Sequence, residues 1–223
     1  MTAPESLPDG ALVRVVAATV HGRTLVLPPA RDGRGWLVGF HGYAQGANVM
    51  LELLRRVPGA DTWRLVAIQA LHPFYNKYNQ IGASWMTPQD REHAIEDNVA
   101  YVDAVLAALA AESGAPERLV VCGFSQGVAM AYRAGLRCAP AADAIVAVAG
   151  DVPPEFRERA PRPWPRVRIV TGTKDTWFTP ERLRADEAAL RAQGADVDAT
   201  TFEGPHEWTA GVDAAVGQVL AGL

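Results

Sequence analysis

Lysine is nearly absent from this chain: of its 21 basic residues only Lys77 and Lys174 are lysines. The arginines are scattered, and the formal net charge is −4 at pH 7. That balance leaves no basic footprint for nucleic acid. The one mild cluster, Arg157 to Arg168, is broken by prolines and reads as a solvated loop. Cysteine is scarce too. Cys122 and Cys138 are the only two, which is too few for a disulfide framework, and Cys122 sits inside an apolar run as a small buried residue would.

Long hydrophobic runs are missing as well. No stretch approaches the ~20 apolar residues a bilayer span requires, so no stable membrane insertion is expected. The opening MTAPESLPDGAL lacks the basic start and apolar centre of a secretory signal, and a cytoplasmic location is the simplest expectation. No G-x-G-x-x-G, P-loop or H-E-x-x-H pattern occurs, which argues against nucleotide chemistry and zinc hydrolysis. No pair of histidines has zinc-helix spacing.

What the chain does have is alternation. Short apolar runs at 23–29, 35–42, 63–70, 118–124, 144–150, 166–172 and 196–204 read as strands. Amphipathic stretches at 48–58, about 92–113, 125–138, roughly 180–193 and from about Trp208 onward read as helices. Strand–helix alternation of this kind predicts a mostly parallel sheet with helices on both faces. The longest stretch without an assigned element is 71–91. With 223 residues, 49% hydrophobic, and no linker or repeat, one α/β domain over 1–223 is the expectation.

The run VVCGFSQG (120–127) places Ser125 between Gly123 and Gly127 at a strand end. A serine hydroxyl is a weak nucleophile that needs a base and an orienting acid. Ligands in open parallel sheets bind beyond the carboxyl ends of the strands, so the partners should follow other strands at that edge. Asp175 follows RVRIVTG and His206 follows TTFEG. The order Ser125, Asp175, His206 is that of the nucleophile-elbow hydrolases. The developing oxyanion needs backbone donors; the N–H of Gln126 is one candidate, and that of Tyr43, in the loop opening HGYAQG, is the other.

These motifs resemble the phospholipase/carboxylesterase family of small α/β-hydrolases, which includes acyl-protein thioesterases and bacterial carboxylesterases. The carriers are FHGYAQGAN (40–48), SWM (84–86), CGFSQG (122–127), GTKD (172–175) and GPHEW (204–208). The resemblance implies an α/β-hydrolase fold without a large cap domain. It implies a Ser125–His206–Asp175 triad, with oxyanion donors at Tyr43 and Gln126. It also implies ester hydrolysis with no metal or organic cofactor. The expected partner is a small-molecule ester; a homodimer stays open.

The chain departs from the family at Tyr43-Ala44-Gln45 (usually Leu-Gly-Asp), at Met86-Thr87 (often Phe-Asp) and at Thr176-Trp177-Phe178. These departures predict a narrower, more aromatic pocket for short or compact acyl groups. Its expected lining is Trp85, Met86, Trp177, Phe178 and Trp208. Asp151, after AIVAVAG, is a rival acid but reads better as a surface turn residue. His41 reads as a structural hydrogen-bonder, and His72 and His93 as exposed. Three alternatives stand beside an esterase: a thioesterase, a lysophospholipase-type acyl hydrolase, and a non-catalytic binding module on the same fold.

Overall fold

The computed structural model describes residues 7–157 and 163–223. The start of the N-terminal stretch and the middle of the Arg157–Arg168 cluster lie outside those residues. The chain runs β1 (Thr24–Leu27), β2 (Gly35–Phe40), α1 (Ala47–Arg55), β3 (Trp63–Ile68), β4 (His72–Tyr75), β5 (Ile81–Ser84), α2 (Arg91–Ser113) and β6 (Arg118–Phe124). It continues through α3 (Gly127–Arg137), β7 (Ala144–Val148), α4 (Pro154–Arg157), β8 (Arg166–Gly172), α5 (Pro180–Ala192), β9 (Val197–Phe202) and α6 (Ala210–Ala221).

The main sheet has the order β1-β3-β2-β6-β7-β8-β9. Among the described strands of this sheet only the β1–β3 pair is antiparallel. Alternate strand residues feed two cores. Val121, Ile145 and Ile169 face one way, against Val102 and Leu106 of α2, Met130 of α3 and Leu190 of α5. Val120, Val146 and Val170 face the other, against Met50 and Leu54 of α1 and Val216 of α6. Both sheet faces are therefore dry, which is why the central strands read as unbroken apolar runs.

The helices start and stop for local reasons. At α5, Pro180 occupies the first turn and the Thr179 hydroxyl accepts from the Arg182 N–H at 3.4 Å. At the other end of α2, Gly114 takes a left-handed φ of 81°, where glycine carries no Cβ penalty. No helix among the described residues is long and apolar enough to cross a membrane.

Two readings of the sequence are corrected. The segment 71–91 is not irregular throughout, because β4 and β5 form an antiparallel hairpin. It is pinned to the loop after β2 by mutual bonds: Ala44 N–H to Ala83 O and Ala83 N–H to Gln45 O, at 3.0 and 2.8 Å. The basic cluster is not all solvated loop either. Arg166 and Arg168 lie in β8, and Arg168 is buried, paired with Asp198 and donating to Gln218.

Candidate active site

Because β2 and β6 are hydrogen-bonded neighbours, with Phe40 opposite Gly123, the loops leaving both strands emerge side by side. Ser125 sits one residue past β6 with φ at 53°, a left-handed conformation rare for a residue with a side chain. Its N–H donates to Val148 O at 2.9 Å, and its carbonyl accepts from Val128 N–H at 3.0 Å. The flanking glycines are steric necessities. A Cβ on Gly123 would lie 2.4 Å from Gly127 O, and one on Gly127 would lie 2.1 Å from Phe40 O.

The structure joins the three expected residues in one hydrogen-bonded chain. Asp175 Oδ2 lies 2.7 Å from His206 Nδ1, and His206 Nε2 lies 2.9 Å from Ser125 Oγ. A carboxylate can only accept, so Nδ1 carries the proton and Nε2 is left to accept from the serine hydroxyl. The carboxylate is buried, and its second oxygen, Oδ1, accepts from the Trp177 and Phe178 N–H groups at 2.8 and 2.9 Å. The loops that carry acid and base are stitched together by Thr173 N–H to Phe202 O and Lys174 N–H to Gly204 O, both 2.8 Å. The imidazole lies beside the Phe124 ring, centroids 5.4 Å apart.

The candidate oxyanion donors are available. Around Tyr43, Gly42 N–H donates to the Gln45 side chain at 2.9 Å and Ala44 N–H to Ala83 O at 3.0 Å. Neither the Tyr43 nor the Gln126 N–H has an internal acceptor among the described residues. Gln45 thus stabilises this loop by folding its amide oxygen back onto Gly42. The Gln126 side chain does different work. It accepts from Trp85 N–H at 3.0 Å and donates to Met86 O at 2.9 Å, fixing the SWM segment against the serine turn.

Ser125 and His206 open into a cleft of about 530 Å³. Met86, Trp177 and Phe178 line it as expected; Trp85 and Trp208 do not. Trp85 is fully buried, its Nε1–H donating to His41 O at 2.8 Å and its ring crossing Phe40 at 5.6 Å. Trp208 packs edge-on to Phe124 and donates to Asp213 at 2.6 Å. Nor is the wall chiefly aromatic: Arg91, Arg157, Arg182 and Asp151 also face the cleft. Asp151 makes no bond to His206, whose Nδ1 partner is Asp175, and it is more than a turn residue, since it accepts from Arg182 at 2.8 Å beside the cleft. Sequence reasoning did not place these charged residues on the cleft because they come from helix ends and a loop with no shared motif.

His41 is a structural hydrogen-bonder. It bonds Gly42 O through Nδ1 at 2.8 Å and accepts from Ala70 N–H at Nε2, 3.1 Å. Burial holds its pKa below the ordinary histidine value. His72 and His93 are exposed. Both cysteines are free and buried. Burial pushes the Cys122 thiol far up and the Cys138 thiol to about 11, so neither is a nucleophile at neutral pH.

A seven-stranded, mainly parallel sheet with a serine on a strained strand-to-helix turn defines an α/β-hydrolase fold. Residues 78–162 match the phospholipase/carboxylesterase family, the family that the sequence motifs resemble. That segment holds SWM and CGFSQG but not Asp175 or His206. Among solved structures, esterase PE8 superposes with a TM-score of 0.74 at 26% identity, over 91% of this chain and 99% of that one. A carboxylesterase from Mesorhizobium loti gives 0.77 at 22%, over 91% and 95%. Acyl-protein thioesterase 2 from Zea mays gives 0.68 at 18%, over 91% and 99%. No curated protein sequence matches the chain. Together these likenesses support a hydrolase.

Proposed function

We propose that this protein hydrolyses carboxylic esters of compact acyl groups through an acyl-enzyme on Ser125. The observation that carries the reading is the unbroken Ser125–His206–Asp175 hydrogen-bond chain opening into a cleft. His206 Nε2 takes the hydroxyl proton as Oγ bonds to the ester carbonyl carbon. The carbonyl oxygen gains the negative charge, stabilised by the N–H groups of Tyr43 and Gln126. The imidazolium then returns its proton to the departing alcohol as the ester bond breaks. Water, deprotonated by the same nitrogen, attacks the acyl-enzyme; the acid is released and Oγ is reprotonated. Asp175 holds the imidazole in the required tautomer and stabilises its cationic form.

Compact acyl groups suit the cleft better than long chains. A lysophospholipase-type substrate wants a long apolar groove, whereas arginines and an aspartate interrupt this wall. The test is turnover of p-nitrophenyl esters from acetate to octanoate, with matched thioesters, by wild type and folded Ser125→Ala. The expected result is a rate peaking at short chains and a fall of about 10⁴–10⁶ in kcat for the variant. A variant retaining full activity would overturn the assignment of Ser125.

A further inference from the structure

Among the described residues three arginines, Arg91, Arg157 and Arg182, line the cleft that holds Ser125. They come from three separate elements: the first turn of α2, the end of α4 and the first turn of α5. Two of them are already matched. Arg182 donates to Asp151 at 2.8 Å and to Trp177 O at 2.7 Å. Arg157 pairs with the buried carboxylate of Asp186. Arg91 is different: it is exposed at the cleft and has neither an ion pair nor a hydrogen bond among the described residues. Among the described residues Asp151 is the only acidic side chain on the cleft lining, so the described part of the wall carries an excess of positive charge.

A purely hydrophobic acyl chain gains nothing from such a wall, and placing it there would strip water from the guanidinium groups at a cost. An anionic group on the substrate gains a charge-assisted hydrogen bond instead, and a planar carboxylate fits the guanidinium fork. Solvent at the cleft mouth weakens that gain without removing it. Resting on the esterase reading for the position of the scissile bond, we propose that the substrates are esters bearing a carboxylate away from that bond. Arg91 binds the carboxylate, and the paired Arg157 and Arg182 maintain the field around it.

The test compares monoethyl glutarate, which carries the anion on its acyl side, with its neutral isostere ethyl 5-methylhexanoate, each followed by proton release at constant pH. A second arm compares 4-acetoxybutanoate, with the anion on the alcohol side, with 4-methylpentyl acetate. In wild type one of the two anionic esters should exceed its neutral partner in kcat/KM by about tenfold. That ratio should fall toward one in Arg91→Gln and shrink with added salt. Ratios near or below one in both arms, with the neutral esters turned over, would overturn the proposal and leave the esterase reading standing. Binding of glutarate itself, read by the change in tryptophan fluorescence that Trp177→Phe removes, separates the two claims. Glutarate binding that weakens in Arg91→Gln without any ester turnover would keep the anion site and sink the esterase reading. No glutarate binding together with no anionic preference would sink the anion site.

Discussion

Gly127 shows how little freedom single positions have in this site. Its missing side chain lets the first turn of α3 approach the end of β2, where Phe40 O and His41 O would stand 2.1 and 2.6 Å from any Cβ. Both are backbone atoms and cannot rotate away. Gly127→Ala should therefore lower stability by about 2–3 kcal/mol, read as a shift of the urea midpoint at unchanged slope; an unshifted midpoint would mean that the two loops separate easily. His41 makes a second residue-scale prediction. Its folded-state pKa is depressed by burial, whereas in the unfolded chain it takes up a proton near pH 6.5. Its contribution is thus complete above that pH and is lost as the pH falls toward the folded value, by up to about 1.4 kcal/mol per unit. Urea midpoints at pH 7.5 and 5.5 should diverge in wild type. In His41→Gln they should lie closer together, though lower at pH 7.5 because two buried hydrogen bonds are disturbed.

Between elements, one side chain and one ion pair join pieces that are far apart in sequence. The Gln126 amide ties the end of β5 to the start of α3. Gln126→Ala should leave Trp85 N–H without its acceptor and Met86 O with only the Ser84 hydroxyl, and loosen one wall of the cleft, with KM rising more than kcat falls. A change confined to kcat would contradict this. On α3, Arg133 is buried and held by Glu155 of α4 through Nε at 2.8 Å and Nη2 at 2.7 Å. Glu155→Gln leaves that guanidinium without its counter-charge. Because the Glu155 side chain is 33% exposed, the expected loss is at the modest end, about 2–3 kcal/mol, read by chemical denaturation. The strands and helices of the main sheet were legible in the sequence because burial on both faces writes itself as apolar runs and periodic helices. The β4–β5 hairpin was not. Its strands have four residues each, one interrupted by Pro73 and the other by Gly82, so no alternation survives to be read. Arg168 was misread for a related reason: sequence shows its charge but not Asp198, which neutralises it in the fold, or Gln218, which accepts its hydrogen bond.

At the scale of the whole molecule, the parallel sheet gathers residues from distant parts of the chain at one edge. Ser125 follows β6, Asp175 follows β8 and His206 follows β9, which is why their order along the chain could be read before their geometry. The cleft was less legible. Its walls come from the loop after β5, the first turns of α2 and α5, and the segment from Ala149 to Arg157. Of the two tryptophans close in sequence to the machinery, Trp85 turns into the interior and Trp208, half-buried, packs against Phe124 instead. Adjacency along the chain fixes which strand end a residue belongs to, but not which way a side chain faces. The central claim is that Ser125 is activated by His206, and an alkyl fluorophosphonate tests it directly. Oγ would bond to phosphorus, fluoride would leave, and His206 would take the proton. Intact-mass and peptide-mass measurement should find one adduct per chain, on Ser125, absent in Ser125→Ala and formed far more slowly in His206→Ala. An adduct on another residue, or none on the folded wild-type protein, would contradict the account.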